Sequence, residues 1–223
     1  MKLLALDTST EACSCALYLD GKVSDRFVVA HKQHTALILP MADELLAAAE
    51  LKPTQLDGLA FGRGPGSFTG LRIGCGVAQG IAFAADIPVA PISSLATLAQ
   101  AAYIELGHKK VLAAIDARMS EVYWGIYVLD QQQIMRCQGP EIVCAPDKIS
   151  LPTVAGHWYG VGSGWANYSD QLMAKLGNVV QNVQGDKYPT AGAMIPLALT
   201  AVAEGQMVSA EQALPVYLRN KIV

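Results

Sequence analysis

The segment Leu4-Ala5-Leu6-Asp7 decides the fold, because its pattern returns in the second half of the chain as Ala113-Ala114-Ile115-Asp116. In the same alignment, without a gap, Ala16-Leu17-Tyr18 falls on Gly125-Ile126-Tyr127. Each half therefore opens with a hydrophobic strand that ends in Asp and continues with a second strand that ends in Tyr. One such match can arise by chance, since apolar strands resemble one another, but we favour a duplicated βββαβα unit.

The point where the pattern restarts divides the chain into residues 1–108 and 109–223. In the first part we expect three strands followed by alternating helices and strands. The second part becomes rich in Pro, Gly and Gln from Gln138 to about Gly192. We therefore expect it to be an eroded copy of the first, with one short helix near Ile195 to Glu204.

The composition limits the possible functions. Of 223 residues, 52% are hydrophobic and 16% are charged, against a usual charged share of about 25%. These values exclude intrinsic disorder, and the scarcity of charge suggests that a partner covers part of the apolar surface. The net charge of -3 provides no broad basic field for nucleic acid, so any RNA contact must be local or shared with another subunit.

The cysteines and the amino terminus indicate a cytoplasmic protein. Five cysteines occur without a CxxC pair or a metal-like spacing, which favours reduced thiols. The apolar segment before Asp7 is too short for a signal peptide, and no stretch has the pattern of a membrane span. We therefore expect a soluble cytoplasmic protein that does not contact a membrane.

The sharpest motif is Gly62-Arg63-Gly64-Pro65-Gly66-Ser67-Phe68-Thr69-Gly70-Leu71-Arg72-Ile73-Gly74, which follows a strand and opens a helix expected from about Thr69 to Ala85. Such a loop can place backbone N–H groups against an anion. It lacks the Gly-Lys-Ser/Thr of a Walker A loop and the GxGxxG register. We favour the alternative that its glycines permit a tight crossover from strand to helix.

Small residues recur one turn apart in this helix, at Gly70 and Gly74 and again at Gly76 and Gly80. An interior glycine costs a helix up to about 1 kcal/mol relative to alanine, and close packing against another backbone is the usual reason. That backbone belongs either to the core of the same subunit or to a partner, and the sequence leaves both open. If the backbone belongs to a partner, the first two helices form a docking face that comprises Leu37, Met41, Leu45, Gly70, Ile73, Gly74, Val77 and Ile81.

Four residues are expected to be remnants of a nucleotide site. Actin-like ATPases and sugar kinases place Asp-x-Gly at a strand end so that metal and phosphate approach the backbone, and here Asp7-Thr8-Ser9 carries Ser9 in place of the glycine. The counterpart Asp116-Ala117-Arg118 departs further, and Gly162 lies in a turn that could derive from an adenosine site. The alternative is that the Asp and Thr side chains only hydrogen-bond a turn.

The sequence contains no complete catalytic or metal-binding motif. His31 and His34 are close enough for metal ligands, but no third ligand completes a site, and solvated loop histidines are the favoured interpretation. No GxSxG elbow and no distinctive Cys-His or Ser-His-Asp order occurs. Asp116, Arg118 and Glu121 form either a charged cluster or an ion pair at a strand edge. We therefore expect no cofactor, no metal and no catalytic residue.

Five segments from both halves of the chain carry a family resemblance: Ala5-Leu6-Asp7-Thr8-Ser9, His34-Thr35 through Leu39-Pro40, Gly62 through Arg72, Ile115-Asp116-Ala117-Arg118 with Glu121-Val122-Tyr123, and Pro215-Val216-Tyr217-Leu218-Arg219. Together they resemble the bacterial TsaB (YeaZ) family over nearly the whole chain. The glycine-rich string is highly specific, and the carboxy-terminal Tyr-Leu-Arg pattern supports it independently. The resemblance implies an α/β fold of the actin-like, Hsp70-like ATPase (ASKHA) class, with residues 1–108 and 109–223 as its two actin-like subdomains.

The resemblance also implies a place in the machinery that makes threonylcarbamoyladenosine (t6A) beside the anticodon of tRNA. There the catalytic relative TsaD binds metal through a pair of histidines and transfers the threonylcarbamoyl group, TsaE is a small ATPase, and the TsaB type is a non-catalytic partner. This implies a heterodimer with TsaD, TsaE in a ternary complex, a homodimer when TsaD is absent, and contact with tRNA only through the complex. Because His34 has no histidine four residues on and Ser9 replaces the glycine, this sequence fits the non-catalytic role.

Two other classes of function stay open. An independent actin-like phosphotransferase would require binding of ATP and metal despite Ser9. A metallopeptidase acting alone, which the older glycoprotease-like label of the family suggests, would need a metal site that His31 and His34 do not complete. Metal analysis together with a nucleotide titration of the isolated protein separates these classes from a binding subunit.

Overall fold

A computed structural model of the protein describes residues 1–219. The first half begins with an antiparallel meander and continues with alternating helices and strands. Its elements are β1 (Lys2–Asp7), β2 (Ala12–Leu19), β3 (Lys22–Val29), α1 (His34–Ala48), β4 (Gly58–Gly64), α2 (Phe68–Ala85), β5 (Val89–Ser93) and α3 (Ser94–Leu106). The second half contains β6 (Lys110–Arg118), β7 (Glu121–Leu129), β8 (Met135–Cys137), β9 (Ile142–Cys144), β10 (Trp158–Val161), α4 (Ser163–Leu176), β11 (Val180–Gln184) and α5 (Ala191–Ala203).

The two sheets have the same strand order, which confirms the duplication predicted from the sequence. The first sheet runs β3-β2-β1-β4-β5 and the second runs β8-β7-β6-β10-β11, with β9 also paired to β7. In both sheets the first three strands pair antiparallel and the later strands pair parallel. Tight turns can join antiparallel strands, whereas parallel strands need crossover connections. The fold is therefore the α/β, actin-like fold that the sequence predicts.

The second half differs from the first between β8 and β10. Where the first half has α1, the described residues here form only β9 and a 3-10 turn at Pro146–Lys148, so the expected erosion is confirmed. The expectation of a single helix after Gln138 is wrong, because α4 begins at Ser163 and precedes α5. The buried residues Trp165, Leu172 and Leu176 do recur at helical spacing, but the glycine cluster Gly160-Val161-Gly162-Ser163-Gly164 at the start of α4 is more typical of a loop. Tyr168, with φ of -132°, kinks the helix.

The division at residues 108 and 109 follows the order of the chain, but the helices cross over between the two sheets. Leu95 and Leu98 of α3 pack in one cluster with residues of β6 and β7. Met194 and Ile195 of α5 pack in another cluster with residues of β1 and β2. Since α3 and α5 also contact each other, each half contributes a helix to the hydrophobic layer of the other. The independence of 1–108 and 109–223 as subdomains stays a prediction.

The helix α2 begins at Phe68, one residue before the predicted start. The hydroxyl of Ser67 accepts a hydrogen bond from the N–H of Gly70 and caps the helix. By length and composition alone, this helix is long and apolar enough to cross a membrane. Its Cys75 and Ala78, however, are buried in the core of the first half together with Phe61 of β4. The absence of a membrane contact stays a prediction.

Candidate functional site

A cleft of about 1050 Å3 opens where the two halves meet. Its walls are the β1–β2 turn, the amino ends of α1 and α2, the β6–β7 turn, and residues Val216, Tyr217 and Arg219. A cleft of this size can hold a small molecule or one nucleotide unit. Two of the expected nucleotide-site remnants, Ser9 and Asp116, line the cleft, whereas the other two do not.

Asp7, the third of these residues, is sealed inside the first half. Its side chain is 1% exposed, and its Oδ1 accepts hydrogen bonds from the backbone N–H of Ser9 at 2.9 Å and from the Ser9 hydroxyl at 2.7 Å. Its Oδ2 is buried and has no hydrogen-bond partner among the described residues. Burial raises the pKa of this carboxyl to about 6, and the hydrogen bonds from Ser9 oppose the rise. Asp7 therefore orders the β1–β2 turn, which agrees with the alternative of a hydrogen-bonded turn.

Gly162, the fourth expected nucleotide-site remnant, packs against Ala114 of strand β6. It has φ of 102°, and a Cβ at this position would collide with the side chain of Leu98 and the carbonyl of Ala114. The next residue, Ser163, accepts a hydrogen bond on its hydroxyl from the N–H of Asp116 at 3.1 Å. Gly162 thus permits the close packing of α4 on β6, and the structure gives it no contact with the cleft.

The glycine-rich loop packs directly on the β1–β2 turn. The N–H of Ser67 donates to the carbonyl of Ser9 at 2.7 Å, and the hydroxyl of Thr8 donates to the carbonyl of Gly70 at 2.8 Å. A Cβ on Gly70 would collide with the carbonyl of Thr8, and a Cβ on Gly74 would lie 2.5 Å from the Thr8 Oγ1. The loop is therefore the tight crossover that we favour from the sequence.

This packing corrects three residues of the expected docking face. Gly70 and Gly74 face Thr8 inside the subunit, and Leu45 is only 2% exposed within the core of the first half. Their assignment was wrong because the helical period shows which residues share a side of a helix, but not which side meets the sheet. The other five expected residues are half-buried along the two helices, and their contact with a partner stays a prediction: Leu37, Met41, Ile73, Val77 and Ile81.

The second glycine pair of α2 is exposed. Gly76 and Gly80 have open space where a Cβ would stand, so no packing within the described subunit accounts for them. Each nevertheless costs the helix about 1 kcal/mol relative to alanine. Phe83, the next residue along this side of the helix, is 73% exposed. We define the helical face as Leu37, Met41, Ile73, Gly76, Val77, Gly80 and Ile81.

An ion-pair network crosses the cleft. Arg118 contacts Asp116 at 3.1 Å in its own half and Glu11 at 3.0 Å in the other half. Asp116 also accepts hydrogen bonds from the amide of Asn167 at 2.9 Å and from the hydroxyl of Tyr168 at 3.3 Å. The charged cluster expected around Asp116 is thus present, and both oxygens of this carboxylate are already engaged. Arg118 links the β6–β7 turn to the β1–β2 turn.

The turn that carries Arg118 has an unusual backbone. Arg118, Met119 and Ser120 have φ of 61°, 55° and 57°, in the left-handed region that costs a residue with a side chain about 1 kcal/mol or more. The N–H of Arg118 donates to the Oδ1 of Asp116 at 2.8 Å. Arg219 donates to Glu121 and, at 3.5 Å, to the carbonyl of Arg118. The carboxy-terminal segment therefore helps to hold this turn in place.

The two neighbouring histidines of the sequence do not act together. His34 is 8% exposed, and its Nε2 lies 3.2 Å from the carbonyl of Ala12, whereas His31 is exposed at the mouth of the cleft. Solvation is therefore the right interpretation for His31 and the wrong one for His34, which is buried beside Ala12 of β2. Within residues 1–219, no three His, Cys, Asp or Glu side chains gather as metal ligands. That the protein requires no metal stays a prediction.

Two aromatic rings stand at the mouth of the cleft. Phe68 and Tyr217 are 41% and 42% exposed, and their ring centroids lie 5.4 Å apart with the planes tilted by 42°. The guanidinium of Arg72 lies 3.9 Å from the centroid of Phe68, and Lys32 lines the same mouth. We define the rim as Lys32, Phe68, Arg72 and Tyr217. Sequence reasoning gave these residues no role, although Phe68, Arg72 and Tyr217 lie in the motifs that carry the family resemblance.

Sequence comparisons relate the whole chain to one group of proteins. A family model described as "TsaD: tRNA N6-adenosine threonylcarbamoyltransferase" matches residues 28–188. The "tRNA threonylcarbamoyladenosine biosynthesis protein TsaB" of Escherichia coli (strain K12) is 43% identical over 224 residues, which span 100% of this chain and 96% of that protein. The protein of the same name from Haemophilus influenzae is 44% identical over 231 residues, which span 100% of this chain and 95% of that protein.

A solved structure agrees with the sequence comparison. The structure described as "YeaZ from Pseudomonas aeruginosa" superposes with a TM-score of 0.91 at 47% sequence identity. The superposition covers 97% of this chain and 99% of that chain. The similarity therefore extends over both sheets and the cleft between them.

Proposed function

The chain belongs to the TsaB (YeaZ) family of tRNA threonylcarbamoyladenosine biosynthesis proteins, and we propose that it works in this pathway as a non-catalytic subunit that docks the threonylcarbamoyltransferase TsaD. The family resemblance found in the sequence is thereby confirmed. In this proposal the chain is cytoplasmic, TsaE joins it in a ternary complex with TsaD, and a second copy takes the place of TsaD when TsaD is absent. Contact with tRNA is made through the complex.

The observation that carries the docking proposal is the helical face. Gly76 and Gly80 lie one turn apart on the exposed side of α2, and nothing within the described subunit fills the space above them. Missing side chains let a second helix approach closely, and the half-buried Ile73, Val77 and Ile81 supply apolar area beside the approach. The apolar character of this surface and the space above its glycines suit an apolar helix of a protein partner better than they suit solvent or a polar ligand.

The contents of the cleft support a non-catalytic role. Ser9 donates two hydrogen bonds to Asp7, so this carboxyl is engaged with its own turn. Arg118 occupies the space between the β1–β2 and β6–β7 turns and is bound to two carboxylates. A triphosphate in this position would have to displace Arg118 from Glu11 and Asp116. The phosphotransferase alternative therefore requires a rearranged cleft, and no contact in the described residues favours a metallopeptidase.

The docking proposal is tested by adding a side chain at a position where it would clash only with a bound partner. Gly80→Arg places a long side chain in open space, so the isolated chain should keep its melting temperature or gain slightly from better helix propensity. The same variant should no longer co-purify with TsaD, and native mass spectrometry should show no species with the mass of the complex. Ala174→Arg adds the same side chain to an exposed position of α4 in the other half and should leave the complex intact. A Gly80→Arg chain that still binds TsaD at wild-type strength would remove this face from the interface.

A further inference from the structure

We propose that the rim of the cleft binds an unpaired nucleotide of the RNA substrate, with its base stacked on Phe68 and Tyr217 and its flanking phosphates beside Arg72 and Lys32. The inference rests on the proposed function, because the pathway of the family supplies the RNA. It goes beyond that function, since it gives this subunit a direct contact with the nucleic acid and places the contact at named residues.

The aromatic pair provides a stacking surface. Both rings of the pair, Phe68 and Tyr217, are about two-fifths exposed, they touch each other, and they come from segments far apart in the chain. Single exposed apolar side chains are ordinary, but here two tilted rings touch each other and an arginine guanidinium lies over one of them, so together they form one continuous aromatic surface. Proteins that bind single-stranded RNA stack unpaired bases on such rings and on arginine guanidinium groups. The rim therefore has the shape that a base requires.

The cations of the rim are free to meet phosphate. Arg118 forms ion pairs with Glu11 and Asp116, and Arg219 forms one with Glu121. In residues 1–219, by contrast, no carboxylate forms an ion pair with Lys32 or Arg72, and both are exposed. Lys32 and Arg72 therefore place two positive charges beside the stacking surface, which suits the phosphate backbone of a strand.

The interior of the cleft distinguishes a strand of RNA from a free nucleoside triphosphate. Glu11 and Asp116 line the cleft, and Arg118 is already bound to both. Arg118 could bind a triphosphate in the cleft only after leaving Glu11 and Asp116, whereas single phosphates on either side of a stacked base can approach Lys32 and Arg72 at the rim without breaking an ion pair. The existing ion pairs therefore favour a nucleotide held from outside.

The rim lies next to the proposed docking face. Ile73 belongs to the helical face and also lines the cleft, five residues after Phe68 on the same helix. A partner seated on the helical face would consequently border the mouth of the cleft. RNA held at the rim would then be shared between the two subunits, which agrees with the weak binding expected for the chain alone from its net charge of -3.

The test measures RNA binding by variants of the rim in two forms of the protein. The probe is an anticodon stem–loop RNA, compared with a fully paired duplex of the same length and with ATP. Binding is measured for the chain alone at about 50 mM salt, where phosphate contacts are strongest, and for the chain co-purified with TsaD at physiological salt. Native mass spectrometry records in parallel whether each variant still forms the complex, so loss of RNA binding and loss of docking are distinguished.

We expect the stem–loop to bind more tightly than the duplex. Phe68→Ala and Tyr217→Ala should each weaken its binding at least about fivefold, because one base stack on an aromatic ring contributes that much or more. Phe27→Ala is the matched control, since Phe27 is 44% exposed on β3 and does not line the cleft. Arg72→Gln should lower the slope of log affinity against log salt by about one, whereas Lys175→Gln on α4 should leave it unchanged.

Three results would overturn the inference. The first is wild-type affinity for the stem–loop in a chain that carries both Phe68→Ala and Tyr217→Ala. The second is the absence of measurable stem–loop binding by the wild type in both forms. The third is tight ATP binding that Phe68→Ala abolishes, which would make the rim part of a free-nucleotide site. If the wild-type chain does not bind TsaD, the proposed function fails, and the measurement on the chain alone still decides the role of the rim.

Discussion

The hydroxyl of Thr8 donates a hydrogen bond to the carbonyl of Gly70 across 2.8 Å, so the β1–β2 turn rests on the first turn of α2. Gly70 and Gly74 of α2 permit this contact, since a Cβ at either position would collide with Thr8.

Gly74→Ala should destabilise the protein, although alanine is the better helix former. The new Cβ would lie 2.5 Å from the Thr8 Oγ1, and such overpacking costs roughly 1–3 kcal/mol. Gly76→Ala on the exposed side meets no atom and should stabilise the helix by up to about 1 kcal/mol. Urea unfolding of the two variants should therefore give changes of opposite sign. An equal stabilisation by both would show that Gly74 does not pack on Thr8.

The stability of the protein should depend on the ionisation of Asp7. Burial raises its pKa from 3.8 to about 6, so the folded protein holds this proton more tightly than the unfolded chain. The contribution of Asp7 to stability is therefore fully present below about pH 4 and is lost as the pH rises to about 6. Asp7→Asn cannot ionise, and its free energy of unfolding relative to the wild type should rise by up to about 3 kcal/mol across that window. Urea unfolding of both proteins at several pH values checks this, and a difference that stays constant with pH would contradict it.

The contact of Arg118 with Glu11 should contribute little to stability and should respond to salt. The Arg118 side chain is 72% exposed and the Glu11 side chain 29%, so solvent screens the pair. A double-mutant cycle with Arg118→Gln and Glu11→Gln should give a coupling energy below about 1 kcal/mol. The coupling should shrink further at about 1 M salt, where the screening length is short. A coupling of several kcal/mol would mean that the two halves are held together mainly by this pair.

The isolated chain should neither hydrolyse ATP nor transfer a threonylcarbamoyl group. Restoring the missing glycine with Ser9→Gly should not create activity, because Arg118, Glu11 and Asp116 still occupy the cleft. Phosphate release with added Mg²⁺ measures the first activity, and incorporation of labelled threonine into tRNA measures the second. Metal-dependent turnover by the wild type that disappears in Asp7→Ala would show instead that the cleft is catalytic.

The sequence by itself was enough for the architecture and the family. The duplication is predicted by two matched strand pairs, because a continuous apolar run with a fixed last residue is a local property of the sequence: Leu4-Ala5-Leu6-Asp7 with Ala113-Ala114-Ile115-Asp116, and Ala16-Leu17-Tyr18 with Gly125-Ile126-Tyr127. The crossover at the glycine-rich loop was also predictable, since glycines between a strand and a helix have few other uses. The helix α4 was not, because it begins inside a glycine cluster that is typical of a loop, although Trp165, Leu172 and Leu176 have helical spacing.

The tertiary structure decided which neighbours those elements meet. In the folded protein Gly74 faces the core and Gly80 faces outward. Helix α3 packs on strands of the second sheet and α5 packs on strands of the first, and Tyr217 contacts Phe68. Periodicity shows which residues share one side of a helix or strand, but the partner of that side depends on which distant segments pack together. The helical face, the cleft between the two halves and its aromatic rim all arise from such long-range contacts, whereas the order of strands and helices arises from short-range ones.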